Sequence, residues 1–291
     1  MSIDITIKQK GFFKKTLPLN VILGNDLQFG IYEGVSLTPG KMGESEILVY
    51  YPERIGRGFS VIWNEKEKDT VVLRSLTPTN PEELCAFYRT IERITNYWNC
   101  ELDVDGTIQT PKQFQDGLQN MLTFNSRAVK GFAENILSGE HGNLTIHCAM
   151  WPLVIGKEEA KSFFEDEKAF YDWMHEKQSM DVYFANPHFF RTDKGVLGKY
   201  ALTENTPSVF PIRPYVPFGI VDPETNKPLE CHDYDVALCS TTKNCVLGEV
   251  NYETLKNSIP PEKCIKYDGG NVLILGLSLE ELEGILILKS N

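Results

Sequence analysis

At 291 residues the chain exceeds the usual size of one domain, so two domains, or one large one, are expected. Its 42% hydrophobic and 24% charged residues are ordinary for a folded protein with a sizeable core. Lys and Arg total 29 against 40 Asp and Glu, and the net charge of -11 disfavours nucleic acid and anionic membrane as partners.

The first third is rich in strand signals. Ile3, Ile5 and Ile7 alternate with polar residues, the pattern of a half-buried strand. Residues 20–23, 27–32, 47–51, 59–63 and 70–76 are further strand candidates, with no crossover helix between them, so an antiparallel meander is predicted. A helix follows: Asn80 is placed to cap it, Pro81 suits the first turn, and Glu83 completes a capping-box pattern ahead of an apolar stripe running from Leu84 to Trp98. Thr110 through Gln113 repeats the start signal, and Ser126 is predicted to open a further helix.

The polar segment 138–143, which includes His141, is the expected domain boundary. Beyond it the sequence predicts a strand at 144–150, one long helix over 157–177, strands at 181–185, 196–201 and 233–240, a short helix over 251–257, and a hairpin around Asp268 to Asn271. A capping box at 278–281 precedes an expected closing strand at 285–288. The predicted fold class is α+β: an N-terminal antiparallel sheet with helices over 1–137, then a second α+β unit over 143–291, or both as one continuous domain.

The pentapeptide Asp103-Val104-Asp105-Gly106-Thr107 has the letters of a D-x-D-G-T phosphatase motif, with Asp103 as nucleophile and Asp105 as general acid–base beside Mg²⁺. Such a nucleophile needs a buried apolar strand before it, whereas residues 96–102 are the tail of a helical pattern. The structural reading is a hairpin with Asp105-Gly106 as its turn.

Residues 206–230 hold Pro207, Pro211, Pro214, Pro217, Pro223 and Pro228, interleaved with Phe210, Tyr215 and Phe218. Prolines at this density exclude a helix and stiffen the chain. Phe210, Arg213, Tyr215 and Phe218 are therefore the expected binding residues of a rigid loop, the competing reading being a loop packed on its own domain. The two P-x-x-P spacings, at 211–214 and 214–217, match those of recognised ligands.

Other constellations carry less. Cys231, His232, Cys239, Cys245 and Cys264 are metal-ligand types, but their spacing is wrong for a structural zinc site. Cys148 follows His147 in a predicted strand and reads as core. His188, near Arg191, sits in a predicted turn with no nucleophile to nominate. Lys8, Lys10, Lys14 and Lys15 surround Phe12 and Phe13 and read as a solvated turn. No phosphate-binding, dinucleotide-binding, G-x-S-x-G or H-E-x-x-H motif is found, and no cofactor or metal is expected. The stretch MSIDITIKQK has no apolar core of a secretory signal, and seven cysteines without a C-x-x-C pair suit reduced thiols in a cytosol.

Together MSIDITIKQK, ANPHFFRTDKG and TENTPSVFPIRP resemble an uncharacterised family of cytosolic proteins from Gram-positive bacteria. The resemblance runs the length of the chain and implies an intracellular bacterial protein; it brings no catalytic residue. The favoured function is a non-catalytic binding or protein-interaction module.

Overall fold

The computed structural model describes residues 2–64, 67–140 and 142–289; His141 of the expected boundary lies outside them. The chain divides into two compact units, Met1–Ser179 and Met180–Asn291.

The first unit is built on one antiparallel sheet. Its chain order begins β1 (Ser2–Lys8), α1 (Leu19–Leu23), β2 (Gln28–Glu33), β3 (Ser36–Pro39), β4 (Glu46–Tyr50), β5 (Phe59–Asn64) and β6 (Glu67–Leu76). Then come α2 (Pro81–Trp98), β7 (Leu102–Val104), β8 (Thr107–Gln109), α3 (Pro111–Asp116) and α4 (Leu118–Ser138). The eight strands lie in the order β3-β2-β4-β5-β6-β1-β7-β8. Ile3, Ile5 and Ile7 of β1 face inward with Ile47, Phe59, Val61 and Leu73, and the stripe Leu84, Phe87, Ile91, Ile94 of α2 covers them. Each such side chain contributes roughly 1.5–3 kcal/mol by leaving water. Residues 20–23, expected as a strand, form part of α1, a single turn starting after Pro18 and packed on α2. Ser126 opens no helix: it lies inside α4, and its hydroxyl donates to Glu167.

Expectation and structure also part over the domain boundary. β9 (Leu144–Ile146), β10 (Leu153–Ile155), α5 (Lys157–Glu165) and α6 (Glu167–Gln178) belong to the first unit, not the second. The segment between β9 and β10 is laced to the early loops: Ala149 N–H donates to Gly56 at 2.9 Å, and Leu37 N–H to Met150 at 2.8 Å. The helix expected over 157–177 is two, broken at Asp166, whose extended backbone and carboxylate cap α6 through Lys168 N–H.

The second unit holds β11 (Tyr183–Phe184), β12 (His188–Thr192), β13 (Gly195–Thr203), β14 (Ser208–Pro211), β15 (Asp233–Ser240), β16 (Cys245–Asn251) and α7 (Tyr252–Ser258). It ends with β17 (Cys264–Lys266), β18 (Asn271–Ile274) and α8 (Leu279–Lys289). Two four-stranded sheets, ordered β12-β13-β15-β16 and β11-β14-β18-β17, share a core of Tyr200, Leu202, Phe210, Val236, Leu238 and their neighbours. β13 and β15 pair in parallel. Parallel neighbours require the chain to travel back before the second begins, and β14 with the proline-rich stretch is that return. The capping box at Ser278 and Glu281 is present, but it opens α8; residues 285–288 are helical, not a closing strand. Four apolar residues in a row do not distinguish a strand from a helix whose start is capped just upstream.

Candidate functional site

Asp103 sits on β7, paired antiparallel to β1 on one side and β8 on the other. Asp105 (φ 49°) and Gly106 (φ 84°) make the left-handed pair of a tight hairpin turn. The Asp103 carboxylate accepts the Gly106 N–H at 2.7 Å, so it closes the turn. Asp105 is exposed. A nucleophile at the tip of a buried parallel strand has different surroundings. Among the described residues no group of three His, Cys, Asp or Glu is placed to hold a metal ion.

The late cysteines are scattered along the second unit. Cys239 and Cys245 flank the β15–β16 turn, Cys264 opens β17, and Cys231 precedes β15. Burial pushes the thiols of Cys231, Cys239 and Cys264 up, away from the thiolate a metal needs. His232 is exposed, with Nδ1 2.7 Å from the Val196 carbonyl oxygen. His188 is not in a turn but starts β12, exposed. Arg191, three residues on, is ion-paired to Asp222 at 2.7 Å and Glu224 at 3.4 Å.

Those two acids belong to the proline-rich segment, which the main chain fastens at several points. Tyr252 Oη donates to the Pro211 carbonyl, and Ile212 N–H donates to Gly270 at 2.8 Å. Beyond Pro217 the chain doubles back. Leu229 N–H donates to Ile220 at 3.0 Å, Asp222 N–H to Lys227 at 2.8 Å, and the Asp222 carboxylate gathers Glu224 N–H at 2.8 Å. With Arg191 beside it, that carboxylate is held below the usual aspartate range, first by the Glu224 N–H.

This frame sorts the expected binding residues into two groups. Phe210 is 2% exposed and packs among Tyr200 and Tyr252 with ring centroids at 5.8 and 6.4 Å, so it belongs to the core and not to a contact surface. It is the third residue of β14, and the strand's inward face claims it. Arg213, Tyr215 and Phe218 are exposed, Phe218 at 98%. Pro211 and Pro217 are buried. A docked P-x-x-P ligand offers its prolines to the partner; here Pro211 and Pro217 face home, Pro214 is half-buried, and Ile212, Arg213 and Tyr215 face out. Ile212, Ile220 and Val221 join Tyr215 and Phe218 as exposed apolar side chains. These three carry no signal in the sequence, because isolated aliphatics in a loop have no period.

A separate cavity of about 600 Å³ lies within the first unit, lined by Thr16, Leu17, Ile47, Trp63, Val71 and Trp98 among others. None of these positions carries a motif, and several read only as strand or helix core.

The protein thus defined is α+β, built of two units, each with its own apolar core. No helix among the described residues is long and apolar enough to cross a membrane. The chain belongs to the DUF4299 family, a domain of unknown function, whose family model matches residues 2–285. No curated protein matches the chain, and no solved structure does.

Proposed function

We propose that this is a non-catalytic binding protein of the Gram-positive cytosol that docks a protein partner on the outward side of the 212–221 stretch. The carrying observation is Phe218. It is 98% exposed on a loop whose main chain is otherwise tied down by hydrogen bonds and an arginine clamp. A large aromatic left in water on a rigid support costs little ordering entropy when it is buried by a partner, which is how interface anchors work. Arg213 and Tyr215 precede that anchor, both of residue types enriched at interfaces, and Ile212 adds exposed apolar surface. Seven cysteines without a C-x-x-C pair support the cytosolic part of this reading. Nothing in the geometry at Asp103 favours the phosphoryl-transfer alternative.

A photo-crosslinking residue placed at Phe218 in cells should give one dominant protein adduct. The same group at Tyr183, also exposed in the second unit, should not. The adduct should vanish on Tyr215→Ala and Arg213→Glu together, with the melting temperature unchanged. Identical adducts from both positions would reject a specific surface.

A further inference from the structure

The cavity of the first unit has a lining that discriminates by chemistry. Trp63 and Trp98 contribute the largest side chains, and both indole N–H groups are already occupied: Trp63 donates to the Glu44 carbonyl at 2.9 Å and Trp98 to the Lys15 carbonyl at 3.1 Å. Leu17, Leu19, Ile22, Met42, Ile47 and Val71 are purely apolar. Among the lining side chains Thr16 and Thr70 add hydroxyls, that of Thr70 donating to Asp69 at 3.3 Å. A space of this size, apolar with few polar groups, has the character of a small-molecule site.

The loop that leads into the lining, whose Lys15 carbonyl accepts the Trp98 indole N–H at 3.1 Å, has the opposite chemistry. Thr16 and Leu17 end the loop that begins after β1 with Gln9, and residues 8–15 hold four lysines and no acid. Lys10 is paired to Glu101 and Lys14 to Asp69. Lys15 lies over the Tyr97 ring at 5.7 Å and has no carboxylate partner among the described residues. In a chain of net charge -11 this is a local surplus of positive charge on the loop that leads into the lining. Phe12 and Phe13, 98% and 92% exposed, extend apolar surface outward between the lysines.

We propose that the cavity binds a single-chain anionic amphiphile, a long-chain carboxylate, with its alkyl chain against Trp63 and Trp98 and its carboxylate at the rim beside Lys15. A neutral apolar guest would make no use of Lys15, which has no carboxylate partner among the described residues. A compact polar anion would find two threonine hydroxyls and no charged donor among the lining side chains. An amphiphile satisfies both ends at once.

The test is a titration of the full chain with bromine-labelled palmitate, below its self-association concentration, read by tryptophan fluorescence. Of the four tryptophans, Trp63 and Trp98 line the cavity and Trp151 and Trp173 do not. Saturable, equimolar quenching is expected, and it should fall when Trp63 and Trp98 are replaced by Phe but persist when Trp151 and Trp173 are. Thr70→Phe, a substitution that suits a strand and adds bulk to the lining, should weaken binding roughly tenfold or more. Lys15→Glu, on the surface and harmless to folding, should do the same for palmitate and leave hexadecanol unaffected. Quenching that never saturates, or that neither variant changes, overturns the proposal. So does binding to anionic vesicles alone, lost on Phe12→Ala with Phe13→Ala, because that outcome assigns the loop to a membrane surface and leaves the cavity without a guest.

Discussion

Glu83 shows how far one buried carboxylate can organise a fold. It follows the helix start Asn80-Pro81 at the capping-box position, yet it does not close a capping box. Its oxygens accept Gly56 N–H at 3.2 Å, Arg57 N–H at 2.7 Å and Gly58 N–H at 2.8 Å, and the Thr79 hydroxyl donates to it as well. Asn80 is equally diverted: its amide donates to the Arg54 and Ile55 carbonyls at 3.1 and 2.7 Å. The loop between β4 and β5 has main-chain groups buried away from water, and these outbid the helix terminus for the two side chains. A Cβ on Gly56 would stand 2.6 Å from both Glu83 Oε2 and Thr79 Oγ1, so the close approach needs glycine. Burial pushes the Glu83 carboxyl up while the four donors pull the other way. Glu83→Ala orphans the buried Gly56 and Gly58 N–H groups, leaves Arg57 N–H with the Thr79 hydroxyl alone at 3.1 Å, and should destabilise by about 3 kcal/mol or more. Glu83→Gln keeps the shape and one acceptor oxygen, which can serve the Arg57, Gly58 and Thr79 donors while Gly56 N–H loses its acceptor, and should cost clearly less. Chemical denaturation of both variants checks this; equal losses would show that side-chain volume alone matters at the site.

Among elements, those with a local signal were legible and those set by tertiary competition were not. β1 alternates without interruption, and it forms as read. The Thr110–Gln113 capping box is present with both hydrogen bonds. The Asp105-Gly106 hairpin also reads directly, because positive φ at two consecutive residues restricts the choice of side chain. By contrast α1, β16 and the break at Asp166 depend on what packs around them. The proline-rich segment was legible as stiff and irregular, but its inside and outside were not: Phe210 and Phe218 look alike in sequence, and only strand β14 tells them apart. Glu204, just past the end of β13, is a polar pin of the same unannounced kind. Its carboxylate accepts from Ser240 Oγ at 2.6 Å, Thr242 Oγ1 at 2.7 Å and Thr242 N–H at 3.1 Å, tying β13 to the β15–β16 turn. The Ser240 hydroxyl first, then Thr242, hold its pKa down at about 2. A carboxyl with a depressed folded pKa stabilises above its unfolded value of roughly 4.3, and that stability is lost as pH falls toward the folded value. The acid limb of the stability curve between roughly pH 4.3 and 2 should therefore flatten in Glu204→Gln. An unchanged slope in that window would show that another carboxylate governs it.

For the whole molecule, the sequence placed the boundary at a polar, glycine-bearing segment, 138–143, whereas the units divide after Ser179. Composition shifts mark exposure and cannot report which side a following helix pair will join. α5 and α6 join the first unit because its helices lack cover without them. Phe132 of α4 meets Phe170 edge-on with centroids 5.3 Å apart. Asn125, fully buried, bridges the Thr79 main chain and the Tyr171 hydroxyl at 2.8 and 3.0 Å. Gln178, at the last turn of α6, accepts Met150 N–H at 2.6 Å and donates to the Trp151 carbonyl at 3.0 Å. A fragment of residues 1–179 should accordingly give dispersed amide resonances and a single cooperative melt. A fragment of residues 1–140 keeps the sheet and α2 but exposes Phe132, Val129 and Ala133 and strands Asn125 without its tyrosine partner. It should be aggregation-prone or molten, with secondary structure retained and near-ultraviolet dichroism lost. If 1–140 instead melts as sharply as 1–179, α5 and α6 are an appendage, and the earlier boundary is the physical one.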